Sequence, residues 1–415
     1  MKRLTLLLLT ISSICFGQKD ILSIDSCIQM AKRNYPLIKQ NDLIASSEKN
    51  ALNADSKNWL PKLSFISKAT YQSEVIEFQG LKFPNDSYLT ALDLEQTLYD
   101  GGETKHRKEL DRLNGETELL KNEVEMYKLV DRVNQLYSTI LLTRENIKAL
   151  NIYKNDINNK ESVLTASVNN GMVLQSNLEE LEAEELKTEQ SIVESKENTT
   201  ALYKTLAMFI NKAIDDSTKF SSEPMVSTSK GEEINRPELK LFETQKAMLD
   251  ARHKLTNTVA LPRLAVGAEG AYGRPGPNFL NQDLRFFGQA SVSLKWNIGT
   301  LYELSNEKQN HEINVKMVDV QKEVFEFNLK STLETQAAQI NGLKEIIEKD
   351  KKIIEKRHNI RMTASTQLEN GNITSTDYLI QLNAEMQAVL NQKVHEVKLM
   401  NAINNYNSSK GINNF

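Results

Sequence analysis

The sequence predicts a chain of mixed but predominantly α class, built as two tandem copies of one unit. In each copy a pair of membrane-type strands interrupts long antiparallel helices. Three observations predict it: an internal repeat at a shift of about 201 positions, helical runs too long for a compact core, and four stretches of alternating apolar and polar residues.

The repeat is visible by eye. Asn34-Tyr35-Pro36-Leu37-Ile38 returns as Asn235-Arg236-Pro237-Glu238-Leu239, and Leu60-Pro61-Lys62-Leu63 returns as Leu261-Pro262-Arg263-Leu264. Asn170-Gly171 returns as Asn370-Gly371, which carries the register almost to the end of each copy. The expected organisation is a signal peptide over 1–17, a first copy over 18–215, a polar linker over 216–231 and a second copy over 232–415.

Each copy opens with a polar helix, over about 23–58 and about 235–258, closed by an X-Pro pair at Pro61 or Pro262. Two alternating stretches follow, joined by Gly/Pro/Asn-rich tips over 80–85 and 273–281. Next comes a very long helical run, a tight Asn-Gly turn and a second long helix. The first run, about 104–168, would extend roughly 100 Å at 1.5 Å per residue. Val130, Val133, Tyr137, Ile140 and Ile147 mark one apolar stripe, and Leu174, Leu178 and Leu181 open another. In the second copy Leu379, Leu382, Met386 and Val389 play the same part. Gly115 and Gly342 each cost about 1 kcal/mol against Ala inside their helices, and are expected to mark local bends.

The strands carry the membrane argument. Leu63, Phe65, Ala69 and Tyr71 alternate with Ser64, Lys68 and Thr70. Phe286, Gly288, Ala290, Val292, Leu294 and Trp296 alternate with Arg285, Gln289, Ser291, Ser293 and Lys295. The partner stretches agree, with Leu92, Leu94 and Leu98 against Asp93, Glu95 and Thr97, and Leu264, Val266 and Tyr272 against Glu269. Each stretch suits a tilted membrane strand with one face to lipid and one to water. A sheet with one face packed on the core of a soluble protein is the other arrangement such alternation allows. In a membrane, four strands cannot close a barrel, so oligomerisation is forced. Two chains give eight strands, whose interior side chains fill, whereas three give twelve and leave a lumen.

Composition bounds the rest. With 40% hydrophobic and 26% charged residues the chain is too polar for a helical membrane bundle. Lys2 and Arg3, the apolar run from Leu4 to Leu9, and a small-residue cut after Gly17 read as a secretory signal. Loss of that segment takes the formal charge from −4 to −6, which argues against a nucleic-acid partner. Cys27 is then the only cysteine, so no intrachain disulfide forms, and a packed small hydrophobe is expected there.

Covalent chemistry finds no residues to carry it. The histidines at 106, 253, 311, 358 and 395 form no HExxH pair, and His311-Glu312 lacks its second histidine. Gly270, Gly273 and Gly276 read as a loop tip, and the acidic run Glu179, Glu180, Glu182, Glu184, Glu185 as a solvated helix face. No cofactor, no metal and no enzymatic activity are expected.

The signal peptide, the duplicated helix–hairpin–helix-pair units, the proline marks and the strand exit Leu94-x-Gln96-x-Leu98-Tyr99-Asp100-Gly101-Gly102 together resemble the TolC-type outer-membrane efflux channel family. The resemblance implies a homotrimer with a twelve-stranded barrel in outer-membrane lipid and long helices forming a tunnel across the periplasm. It also implies a small mixed domain around the tunnel, to which the linker would belong. The implied partners are a periplasmic adaptor (membrane fusion) protein and an inner-membrane pump of a tripartite efflux or type I secretion system. By position, the turns Asn170-Gly171-Met172 and Asn370-Gly371-Asn372 match the tips offered to adaptor hairpins, although Asn-Gly also suits any tight turn needing φ > 0. Asp377 holds the family's entrance spacing, where three carboxylates would ring the closed mouth and favour cations. The other reading of Asp377 is an ordinary acid at a helix N-terminus. Ile380 and Ile373 stand where some members carry a second Asp and a basic latch residue, so the latch is not transferable. A periplasmic coiled-coil scaffold or adaptor-like protein that never enters the membrane remains the alternative.

Overall fold

The computed structural model describes residues 21–75, 77–78, 80–224 and 234–411; the expected signal peptide and residues 225–231 of the expected linker lie outside the described residues. In chain order the elements are α1 (Ile24–Asn34), α2 (Ile38–Ser56), β1 (Lys62–Tyr71), β2 (Glu77–Phe78), β3 (Leu81–Lys82), β4 (Asp86–Tyr99), α3 (Glu103–Asn169), α4 (Gln175–Ile210), α5 (Pro237–Asn257), β5 (Arg263–Arg274), β6 (Arg285–Lys295), α6 (Leu304–Glu369) and α7 (Ser375–Lys410). Two compact units cut across the tandem copies, and α3 and α6 contribute to both.

The first unit, Leu37–Val124 with Arg236–Asn328, contains the sheet. The opening helix of the first copy is not continuous. Pro36 lacks an N–H and holds Tyr35 extended, which separates α1 from α2. Its counterpart Pro237 is the first residue of α5 after an extended Arg236. Both α2 and α5 then tighten into single 3-10 turns, Lys57–Trp59 and Thr258–Ala260, and stop at an extended leucine before the second proline. α3 runs unbroken through Gly115. A Cβ there would lie 2.6 Å from Oε2 of Glu48, so this glycine admits the Glu48 side chain of α2. Gly342 likewise leaves α6 unbroken.

All four long strands pair antiparallel in the order β1-β4-β5-β6. The central contact, β4 with β5, joins the two copies, with Asp93 opposite Glu269 and Leu94 opposite Ala268. Residues directly opposite share a face, so the register sorts the sheet. Leu63, Leu94, Ala268 and Ala290 form one row of the apolar face; Ser64, Asp93, Glu269 and Gln289 form the neighbouring row of the polar face. The apolar side chains lie open in the single chain: Phe65 is 69% exposed, Val292 74% and Phe286 83%. Polar residues on the apolar face are paired: Ser67 bonds Thr90 at 3.1 Å, and the amide N–H groups of Gln96, opposite Val266, are satisfied by the carbonyls of Trp59 and Thr97. A bulge between Thr97 and Tyr99 then ends the ladder. The small β2–β3 hairpin in the first tip was not foreseen from the sequence.

The second unit comprises 1–36, 125–235 and 329–415. Its α1 is amphipathic and capped by a Ser23–Ser26 capping box. The stripe expected on α3 is the core: Val130, Val133, Tyr137 and Ile140 are at most 1% exposed. Cys27 is fully buried, and burial pushes its thiol up to about 12. Leu174 belongs to no stripe; it is 73% exposed and caps the start of α4. The stretch 215–221 is anchored. Leu22 pairs with Phe220, Phe220 packs edge-on against Tyr137, and the Tyr137 hydroxyl lies 2.7 and 2.8 Å from the carbonyls of Leu22 and Ser221. Arg144 stacks over Phe220 and donates to the carbonyls of Thr218 and Asp216.

Candidate functional site

The two turns between long helices, and the helix starts that follow them, hold the residues singled out in the sequence. Both turns are Schellman motifs. In the first, Gly171 N–H donates to Val168 O at 2.9 Å and Met172 N–H to Ser167 O at 2.9 Å. In the second, Gly371 donates to Leu368 at 3.0 Å and Asn372 to Gln367 at 2.9 Å. Gly171 and Gly371 take φ of 72° and 68°, in the left-handed region that a Cβ disfavours. Asn170 and Asn370 stand just before them, and Met172 is 67% exposed, an unusual position for a methionine. A Cβ at either glycine would meet nothing within 4 Å, so the glycines are required by conformation and not by lack of room.

The turns differ in how the next helix begins. Thr374 caps α7 in a capping box with Asp377: Thr374 Oγ1 accepts from Asp377 N–H at 3.2 Å, and Asp377 Oδ2 accepts from Thr374 N–H at 3.1 Å and from its hydroxyl at 2.8 Å. These bonds to Thr374 hold the Asp377 carboxyl below its ordinary value. The first copy has Asn177 at the matching position and no side-chain cap on α4. Asn177 instead accepts from Ser375 N–H of the second copy at 3.3 Å, while Thr376 donates to Glu180 at 2.6 Å.

Behind the turns the helices of both copies share one core of Tyr153, Ile157 and Leu164 from α3, Leu181 from α4, Leu368 from α6 and Tyr378 from α7. A cation is built into it. Lys160, with a side chain only 8% exposed, donates to Ser365 Oγ and to Glu369 Oε1, each at 2.7 Å, and lies 5.3 Å over the Tyr378 ring. The bond from Lys160 lowers the Glu369 carboxyl from its ordinary value. Arg361 Nε and His358 Nδ1 of α6 flank Glu385 of α7 at 2.5 and 2.8 Å. Asp156 of α3 faces the same group, and burial raises its carboxyl. The arrangement clasps the two helix pairs of one chain together near their turns through charged, breakable contacts.

Lys160 and Glu369 were passed over in the sequence because lysine in a Lys/Glu-rich helix reads as surface. A signal was present: residues 153, 157, 160 and 164 follow the helical period, which puts Lys160 on the buried stripe. The scattered histidines also acquire partners, as His311 pairs with Asp250 and His395 with Asp350. Among the described residues no group of three or more His, Cys, Asp or Glu side chains could hold a metal ion. No described helix is long and apolar enough to cross a membrane.

Comparison of the sequence with family models and with curated proteins finds no match. Solved structures do match over nearly the whole chain. CusC, described in terms of folding and transmembrane channel formation, superposes with a TM-score of 0.70 at 12% identity, covering 93% of this chain and 91% of its own. The Campylobacter jejuni CmeC outer membrane channel gives 0.66 at 13% identity over 94% and 86%. The Vibrio cholerae outer membrane protein VceC gives 0.66 at 12% identity over 93% and 94%. The element order, the four-stranded antiparallel sheet and the paired long helices are therefore those of the TolC-type outer-membrane efflux channel fold.

Proposed function

We propose that this chain is the outer-membrane exit duct of a tripartite efflux or type I secretion system, conducting passively what an inner-membrane pump delivers through a periplasmic adaptor. The observation that carries the reading is the sheet, whose apolar face is exposed and whose edge strands β1 and β6 each have one free edge among the described residues. Three chains would supply twelve strands around a lumen, with the apolar faces in lipid. The helices favour the same assembly. Ile313, Met317, Val320, Val324 and Phe327 recur on α6 at spacings of four and three and are all more than half exposed, the pattern of a seam awaiting another helix. In this reading the copies 18–215 and 232–415 give the trimer six similar units, and 216–231 connects them. No covalent step is involved.

The exposed turns suit docking. Asn170, Gly171 and Met172, with Asn370, Gly371 and Asn372, would meet the adaptor, and the clasp through Lys160 would hold the entrance closed until docking rearranges it. Asp377 uses Oδ2 for its cap, and Oδ1, which bonds to none of the described residues, would face the mouth as one third of an anionic ring.

Three outcomes are expected. The mature protein should fractionate with the outer membrane and migrate in gels as a trimer that dissociates on heating; a protein that stays monomeric without detergent would favour the scaffold alternative. Gly171→Val or Gly371→Val should strain its turn by about 1–2 kcal/mol, leave trimers intact and reduce export; normal drug resistance in both variants would remove the docking role. Asp377→Asn should weaken block by divalent cations in planar bilayers, and conductance unchanged with and without those ions would reduce Asp377 to a helix cap.

A further inference from the structure

The register of the sheet separates charge by strand. On the polar face, the edge strands carry only cations: Lys62 and Lys68 on β1, Arg285 and Lys295 on β6. All three carboxylates of that face, Asp93, Glu95 and Glu269, lie on the central strands β4 and β5. Arg263 of β5 adds a fifth cation directly opposite Lys295, a like-charge pairing that costs stability in a sheet. Five cations against three carboxylates leave this face at +2 in a chain whose total is −4.

The charges of the edge strands are also uncompensated. Arg263 is ion-paired with Glu103 at 2.5 Å, but Lys62, Lys68 and Lys295 have no ion pair among the described residues. The Nε of Arg285 is buried without an acceptor, a donor facing no oxygen. By contrast, the one ion pair on the apolar face, Arg274 with Asp86, is internally neutral.

Resting on the duct reading, we infer that the barrel section of the pore prefers anions and that the transported class includes negatively charged small molecules. Wherever the register between copies falls, each of the three seams brings β6 of one chain beside β1 of the next. Four cations and no carboxylate of those two strands then face the lumen at every seam. Three cationic stripes alternate with three central stripes that hold the acids, and the strand residues of the lumen face sum to +6, of which the three Arg263 charges are met by Glu103. Inside a wall backed by hydrocarbon such charge is weakly screened and selects counter-ions.

The test is the reversal potential of single channels in a KCl gradient, read in the Asp377→Asn protein so that the barrel dominates. Chloride should be more permeant than potassium, and Lys62→Gln with Lys295→Gln should shift the permeability ratio at least twofold toward potassium while trimers persist. A cation preference before substitution, or an unchanged ratio after it, overturns the inference. If the substitutions alter only trimer yield, the lysines merely guard strand edges and the inference is equally overturned. A folded trimer that stays without conductance even when Lys160→Met releases the clasp at the entrance overturns the duct reading itself.

Discussion

Backbone hydrogen bonding at the edges of one sheet governs how this molecule can exist. β1 and β6 each present a row of N–H and C=O groups with no partner among the described residues, on a sheet whose apolar face is suited to lipid. In hydrocarbon every such group costs several kcal/mol, so two edges of this length would cost on the order of tens of kcal/mol, more than the roughly 5–15 kcal/mol by which a domain is stable. In water the edges could be hydrated, but the exposed face of Phe65, Val292 and Phe286 would be an aggregation surface. Closure with other copies would answer both costs at once. The Gln96 amide, tied to the carbonyl of Trp59, shows the same constraint on a single side chain.

The helical part obeys a different balance. Its packing relies on buried stripes around Tyr137 and Tyr378, yet polar groups are placed where helices of the two copies meet. Asn134 bonds Asn401, Asn405 and Asn404, and Lys160 bonds Ser365 and Glu369. Such contacts fix register between helices more than they add stability. Contacts of this kind can be exchanged when helices slide or untwist, whereas an all-apolar seam offers no specific second arrangement. The Schellman turns add stiff, sparsely packed ends in which glycine conformation sets the shape.

Much of the fold was legible because it rests on periodic signals. Alternation located all four long strands, and the second proline of each copy located the ends of α2 and α5 within a few residues, since the residue before a proline is disfavoured in a helix. The break at Pro36 was missed because that proline was matched only as a repeat mark, not weighed as a helix stop. The room that Gly115 leaves for Glu48 was hidden for a related reason: a glycine opposite a neighbouring side chain looks the same in sequence as a glycine at a bend. Pairing of β4 with β5 could not be read at all, because it joins segments more than 150 residues apart and depends on both copies folding together. At the turns, φ > 0 was foreseen at Gly171 and Gly371, but the Lys160 clasp was hidden by a residue type that usually signifies surface.

The central claim is that β1 of one copy closes on β6 of another. Cys27 is buried, so introduced cysteines can report this contact alone. The direct measurement pairs Ser64→Cys on β1 with Gln289→Cys, Ser291→Cys or Ser293→Cys on β6 and follows oxidation of membrane-embedded protein on denaturing gels. Adjacent strands lie about 4.8 Å apart, within disulfide reach at the correct register. At least one pair should give a covalent trimer that reduction returns to monomer; folded protein that remains monomeric with all three pairs would contradict the closed barrel.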